Sequence, residues 1–359
     1  MTIRNSYAFV FSMLLLLISS CSSDMPRALK SVPTAFGVVN QVIVVMDKEL
    51  WEGEVGDTLR YYYSSAYPIL PQPESIFDLK HFSAIDLEKD RLRKELRNYL
   101  FVADLSDTDS PTTKMIAKDL GQENVRKAQE IPKEYNTSVG KDKWAKGQLL
   151  IYQFANNQQE LIDNLKRNFP AIKNRINKAD REKIDASVYL DGVNKALMRD
   201  VKEAFDIELR IPSDYIGAMN DDNFIWMRRE IPEVSMNLMV TKVPYTDQAQ
   251  LQKEGIKAMR DTIGRKYISS ELPNTFVRIN DIDLPMLVTQ REINGTFAVE
   301  ARGIWEVVND FMGGPFVTYV FLDPQKNELI FIDGFVYAPG KDKRNYMQYL
   351  EHVITSLKV

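Results

Sequence analysis

The chemistry written most plainly in this chain belongs to one thiol. Cys21 is the single cysteine. It follows an apolar run from Tyr7 to Ile18 and two small residues, Ser19 and Ser20. With Arg4 ahead of the run, residues 1–20 read as a secretory signal peptide. The run is shorter than the roughly 20 apolar residues a membrane-spanning helix requires. Ile18-Ser19-Ser20-Cys21 resembles the bacterial lipobox, in which the small residues fit the peptidase and the cysteine sulfur accepts a diacylglyceryl group. Each buried methylene contributes about 0.8 kcal/mol, so two or three acyl chains make a stable anchor. The alternatives are an ordinary cleaved signal with a cysteine nearby, or a buried signal anchor. One cysteine forms no disulfide within the chain, so the fold must rest on its own core. Ser22, where an aspartate would favour inner-membrane retention, points to the outer membrane. Asp24 alone stands where a surface-export signal would carry an acidic cluster, which leaves the periplasmic face and the cell surface both open.

Little else is arranged for catalysis. The two histidines, His81 and His352, lie far from any serine or cysteine motif, and no nucleophile elbow, His-Glu-x-x-His or paired cysteine is present. No enzyme activity is assigned, and no cofactor or metal is expected. Two acid pairs remain, Asp221-Asp222 and Asp281-Ile282-Asp283. Paired carboxylates suit a glycosidase or a calcium ion, and aspartates in such settings are also ordinary turn residues. Gly313-Gly314 before Pro315 reads as a bulge or turn.

Aromatic residues are the other candidates for binding. Tyr61, Tyr62 and Tyr63 are consecutive, so on a helix they cannot all face a core. Trp226 and Trp305 fall in strand-like segments. Exposed aromatics could stack on sugars or anchor a protein partner; packing between domains is the plainer alternative.

The elements that would carry these residues form two halves. The 359 residues carry a net charge of −4 and no basic stretch, which excludes a nucleic-acid partner. Residues 21–36 read as a tether with two prolines. An N-terminal domain over 37–180 begins with a β-branched strand near 38–46, and Asp47 is placed to cap a helix running to Ser64. Further strands are expected at 75–82, 98–105 and 148–154. A loop with one short solvated helix is expected over 106–143. A helix over 156–177 should be kinked or split at Pro170. The charge run Lys178–Lys183 marks a boundary near 178–192. A C-terminal domain over 190–359 alternates amphipathic helices with strands at 206–211, 223–228, 235–242, 276–279, 287–291, 296–307, 315–322 and 328–337, and closes on a helix at 342–357. The fold class is α+β: two α+β halves with mainly antiparallel sheets flanked by helices.

Arg302-Gly303-Ile304-Trp305, Asp310-Phe311-Met312-Gly313-Gly314-Pro315-Phe316-Val317 and Ile330–Lys341 resemble an uncharacterised Bacteroidota envelope lipoprotein family, DUF4837-like, catalogued as a domain of unknown function. Leu70-Pro71-Gln72-Pro73-Glu74 and Phe224-Ile225-Trp226-Met227-Arg228 extend the resemblance over most of the chain. It implies a location and no activity. The strand–loop–strand–loop–helix ending also resembles PsbP/Mog1-like modules, at the level of fold alone. The expected function is a lipid-anchored, non-catalytic binding or accessory component of the outer membrane. Its expected partners are the membrane, through the lipid on Cys21, and an envelope protein. The alternatives are a glycan- or peptidoglycan-binding lipoprotein, marked by a flat exposed row of aromatics, and a carboxylate-based hydrolase, marked by two acids roughly 5–10 Å apart in a cleft.

Overall fold

The computed structural model describes residues 32–358; Cys21 and the segment read as a signal peptide lie outside them. The fold class is α+β, with one sheet in each half. The described end of the expected tether is already part of the body. Thr34 and Phe36 bridge to Lys146 and Leu96, so the attached chain starts before residue 37.

In the N-terminal half the strands are β1 (Gln41–Val45), β2 (Asp78–Phe82), β3 (Asn98–Asp104), β4 (Thr137–Lys141) and β5 (Leu149–Ala155). They form one sheet in the order β2-β1-β3-β5-β4. Pairings among β2, β1, β3 and β5 are parallel, and only β4 is antiparallel. The expectation of mainly antiparallel sheets therefore fails for this half. The physical sign is that β1, β3 and β5 are apolar continuously rather than alternately, because helices cover both of their faces. One face carries α1 (Lys48–Glu52), α2 (Glu54–Tyr63) and α6 (Gln158–Val188). The other carries α3 (Ala84–Lys89), α4 (Pro111–Leu120) and α5 (Gln122–Glu130).

Three local expectations change. The helix expected from Asp47 to Ser64 breaks at Gly53 into α1 and α2. The turn is so tight that a Cβ on Gly56 would sit 1.9 Å from the Trp51 carbonyl oxygen, which only glycine tolerates. Asp47 does not cap α1; its carboxylate accepts from Ser110 Oγ and from Thr112 Oγ1 at the start of α4. Pro170 does not interrupt α6, which runs 31 residues. Its exposed ring faces away from the core, while Leu161, Leu165, Ile172 and Ile176 hold the helix to the sheet on either side of it. The charge run 178–183, expected as a solvated helix face or linker, is a helix face whose Lys178, Arg181, Glu182 and Lys183 are exposed, with Asp180 turned inward. Asp180 is buried, accepts from the Asn40 backbone N–H (2.7 Å) and Asn98 Nδ2 (2.9 Å), and pairs with Arg97 (3.0 Å). Val188, at the end of the same helix, enters the core of the other half.

The C-terminal half is an eight-stranded sheet, antiparallel throughout. Its strands are β6 (Ile216–Asp221), β7 (Phe224–Ile231), β8 (Val234–Pro244), β9 (Phe276–Asn280), β10 (Leu287–Ile293), β11 (Thr296–Val308), β12 (Gly313–Asp323) and β13 (Glu328–Tyr337). Their order is β10-β11-β12-β13-β8-β7-β6, with β9 beside the far end of β11. One face packs on α7 (Lys195–Phe205) and α9 (Arg344–Ile354), the other on α8 (Lys253–Tyr267). The strand expected at 206–211 is irregular chain tied to the C-terminus by a bridge from Glu208 to Lys358. The edge strand β6, exposed along its length, had no apolar signal to reveal it.

The segment 64–77 fastens the halves. Leu70 sits in the C-terminal core, while Ile76 and Phe77 sit in the N-terminal one. Arg344 pairs with Asp78 (2.8 Å). The Glu74 carboxylate accepts from the backbone N–H groups of Lys343 (2.6 Å) and Arg344 (2.9 Å). Helix α9 has no cap of its own, so an acid from the other half satisfies its first turn and complements its dipole. Glu74→Ala is expected to destabilise the protein by about 1–2 kcal/mol, the loss typical of an N-cap. Urea unfolding checks the size, and faster amide exchange in the first turn of α9 checks the place.

Candidate functional site

A cleft of about 540 Å³ lies where the halves meet. Its floor comes from two neighbouring strands. Glu300 and Arg302 alternate along β11 and so share one face of the sheet. Thr289 and Leu287 stand opposite them on β10, with Arg291 diagonal to Glu300. The walls come from Lys173 on α6, Tyr67 and Pro68 on the fastening segment, and Gln348 and Glu351, one turn apart, on α9.

Arg302 is the centre of its electrostatics. Its Nε donates to Glu300 (2.6 Å) and its Nη1 to Glu351 (2.6 Å) and to the Tyr67 hydroxyl (3.2 Å). Tyr67 in turn donates to Glu351. Glu300 also receives Arg291 through two N–H groups (3.0 and 3.3 Å) and the Tyr319 hydroxyl (2.8 Å). Burial alone would push the Glu300 carboxyl up; the Arg302 charge and the donors from Arg302, Arg291 and Tyr319 outweigh it and hold it down to about 2. Burial, reinforced by the Glu351 charge, pushes the Tyr67 phenol well above its ordinary 10.0. Burial lowers Lys173 from its ordinary 10.5, helped by the charges of Arg302 and Arg291.

Because Glu300 releases its proton more readily folded than unfolded, it stabilises the fold fully above its ordinary 4.5 and loses that contribution as pH falls toward about 2. A shift of this size in a buried group corresponds to roughly 3 kcal/mol. The urea midpoint of the wild type is therefore expected to fall more steeply between pH 4.5 and about 2 than that of Glu300→Gln, which starts lower at neutral pH. Parallel profiles would contradict the assignment.

Glu300 and Glu351 are two acids in one cleft, as a glycosidase requires, but the state of Glu300 and the pairing of both with Arg302 oppose that chemistry. A general acid needs a raised pKa. Glu300 has the reverse, and both carboxylates are tied to Arg302. The acid pairs noted in the sequence lie elsewhere. Asp221 and Asp222 are exposed in the β6–β7 turn, where Asp221 accepts from the Asp222 backbone N–H (2.9 Å). Asp281 pairs with Lys257 (3.2 Å), and Asp283 accepts from Asn280 (2.7 Å). His81 stacks on Trp51 at 4.7 Å, and His352 meets Asp185 (2.8 Å). Among the described residues no group of three or more metal-ligating side chains is assembled.

The aromatic candidates are not brought together. Tyr61 is exposed, Tyr62 leans on Phe169 (5.5 Å), and Tyr63 is buried with its hydroxyl accepting from Gln153 (3.0 Å). All three belong to α2. Trp226 and Trp305 lie in the other half, around a smaller cavity of about 130 Å³ beside Phe335 and Tyr337. Trp226 donates to Asn237 (3.0 Å), and Trp305 is 3 % exposed with its indole N–H unpartnered. These five residues form no flat exposed row. The cleft residues form no recognisable motif along the chain, although Glu300 and Arg302 carry a signal. They are two charges at alternate positions in an otherwise apolar strand, Ala298–Trp305, and such charges are retained where they are paired.

Residues 194–356 match a family described as a domain of unknown function, DUF4837, and residues 35–189 match a second, DUF8532. The resemblance read over most of the chain is thus divided. Leu70–Glu74 falls within the second match and Arg302 within the first. The cleft draws on both matched regions, with Tyr67 and Lys173 from the second and Arg302 and Glu351 from the first. No curated protein matches. Among solved structures, a point mutant of the protein Mog1 matches at 9% identity and TM-score 0.28, covering 43% of this chain and 90% of its own. The Saccharomyces cerevisiae Ran-binding protein Mog1p matches at 9% identity and TM-score 0.28, over 43% and 89%. The human StarD13 lipid transfer and protein localization domain matches at 10% identity and TM-score 0.20, over 45% and 90%. At these TM-scores none of the three bears on function.

Proposed function

We propose, for a chain that belongs to an uncharacterised DUF4837-like family and carries a DUF8532 match ahead of it, a lipid-anchored binding protein of the cell envelope. In this reading Cys21 carries the lipid, the outer membrane is the site of attachment, and the body holds its ligand in the cleft between the halves without transforming it. The observation that carries the reading is the state of the cleft. It is roomy and built from both halves, its two acids are paired with Arg302, and the Glu300 carboxyl is held low. Its volume lies within the roughly 300–1,000 Å³ range of small-molecule sites. No helix among the described residues is long and apolar enough to cross a membrane.

Growth with an alkyne-tagged fatty acid, followed by membrane fractionation, tests the anchor. The wild type is expected to take up the label and sediment with outer membranes, and Cys21→Ala to do neither. A Cys21→Ala protein that fractionates like the wild type would overturn the anchor. Affinity capture of the lipidated protein, compared with Cys21→Ala, tests for the envelope partner.

A further inference from the structure

The charges of the cleft do not balance. Lys173, Arg291 and Arg302 face Glu300 and Glu351, one cation in excess. The excess can be located. Arg302 is shared between Glu300 and Glu351, and Arg291 is engaged by Glu300. Among the described residues no carboxylate lies within ion-pair distance of the Lys173 ammonium and no acceptor lies within hydrogen-bond distance of it. Lys173 is half-buried on α6, in the wall of the cleft, and crowded by two guanidinium charges. An ammonium with no carboxylate partner beside two guanidinium groups leaves the local charge positive. An anion placed there is attracted by that charge.

We infer that the cleft takes a small organic carboxylate, with its anionic end on the Lys173 ammonium and its apolar body against Leu287, Ile76 and Pro68. This rests on the cleft being the ligand site. One uncompensated unit charge matches a monoanion. Nε and Nη2 of Arg291 and Nε and Nη1 of Arg302 are already engaged by protein acceptors, so phosphate would find fewer guanidinium donors than an open fork offers. What remains is a compact point charge with three donors, which a carboxylate satisfies. Leu287 is 46 % exposed on the β10 edge and gives the ligand's carbon chain an apolar wall, with Ile76 and Pro68 beside it. The amides of Asn174 and Asn177 can serve polar groups further along the ligand, while that of Gln348 is paired with the Asn40 amide.

The test uses the mature chain with 13C at the lysine ε positions, observed by NMR during titration with hexanoate, its neutral isostere hexanamide, and inorganic phosphate. Hexanoate is expected to shift the Lys173 signal saturably, hexanamide to leave it in place, and phosphate to bind more weakly than hexanoate. Lys173→Gln should weaken hexanoate by about tenfold or more, the loss of one charge-assisted hydrogen bond. Lys178→Gln, on the exposed part of the same helix, should bind as the wild type does. Hexanamide binding as well as hexanoate would overturn the anionic class while leaving the cleft as a site. Phosphate binding more tightly than hexanoate would overturn the monocarboxylate. Hexanoate binding that is indifferent to Lys173→Gln, or no response to any probe, would overturn the inference; a co-purifying ligand displaced by filling the cleft would then keep the cleft itself as the site.

Discussion

Arg260→Met is expected to destabilise the C-terminal half by about 3–5 kcal/mol, the range for breaking one side of a buried ion pair. Arg260 leaves α8 and meets Asp333 on the central strand β13 through two N–H groups, at 2.9 and 3.0 Å. The two side chains are 1 % and 0 % exposed. The Thr318 hydroxyl donates to the same carboxylate, and the guanidinium lies 3.9 Å from the centre of the Phe316 ring. Removing Arg260 strands a carboxylate in an apolar layer, with one hydroxyl as its remaining side-chain donor. The pair need not be stabilising relative to an apolar pair, because desolvation opposes the attraction. Arg260→Met combined with Asp333→Leu should therefore recover most of the loss. Urea denaturation of the wild type, the single variant and the double variant decides it. A single variant within about 1 kcal/mol of the wild type would show that the buried pair is not what holds α8 to the sheet.

Arg302→Met is the second large effect, expected near the low end of the same range, at about 3 kcal/mol, because the cleft is wetter. Arg302 is 11 % exposed, Glu300 6 % and Glu351 22 %. Its loss leaves Glu300 with Arg291 and Tyr319, and leaves Glu351 with Tyr67 alone. The effect should concentrate at the junction, since Arg302 joins β11, α9 and the fastening segment. Hydrogen exchange should accelerate in residues 64–77 and in α9, while the centre of the N-terminal sheet stays protected. Glu351→Gln should cost less, because a neutral amide still accepts from Arg302. Uniform acceleration across both halves would contradict a local role for Arg302.

Much of the fold could be read because hydrophobic patterning determines it locally. Val42–Val45, Leu100–Ala103 and Glu328–Tyr337 are strands in any packing that buries them, and Met347, Leu350 and Val353 need a helix to share one face. What could not be read depends on partners distant in sequence. A continuous apolar strand fits both a parallel sheet and a covered antiparallel one, so apolar patterning does not determine strand direction in the N-terminal half. Pro170 argues against a continuous helix locally, and the burial of Ile172, Ile176 and Asp180 further along α6 overrules it. The cleft is the extreme case. Tyr67, Lys173, Arg302 and Glu351 come from four separate segments, and only the tertiary fold brings them together. The aromatic residues drew attention through their type, yet Tyr63 and Trp305 serve the core.

The most direct test of the cleft as the ligand site is native mass spectrometry of the protein extracted from membranes in mild detergent, compared with Thr289→Trp. Thr289 is exposed on β10 at the cleft floor, so an indole there fills the site with little cost to the fold. The wild type is expected to carry a small-molecule mass beyond its acyl chains, and Thr289→Trp to carry the acyl chains alone. The same bound mass on both proteins, or none on the wild type, would contradict the cleft as the place where this protein holds its ligand.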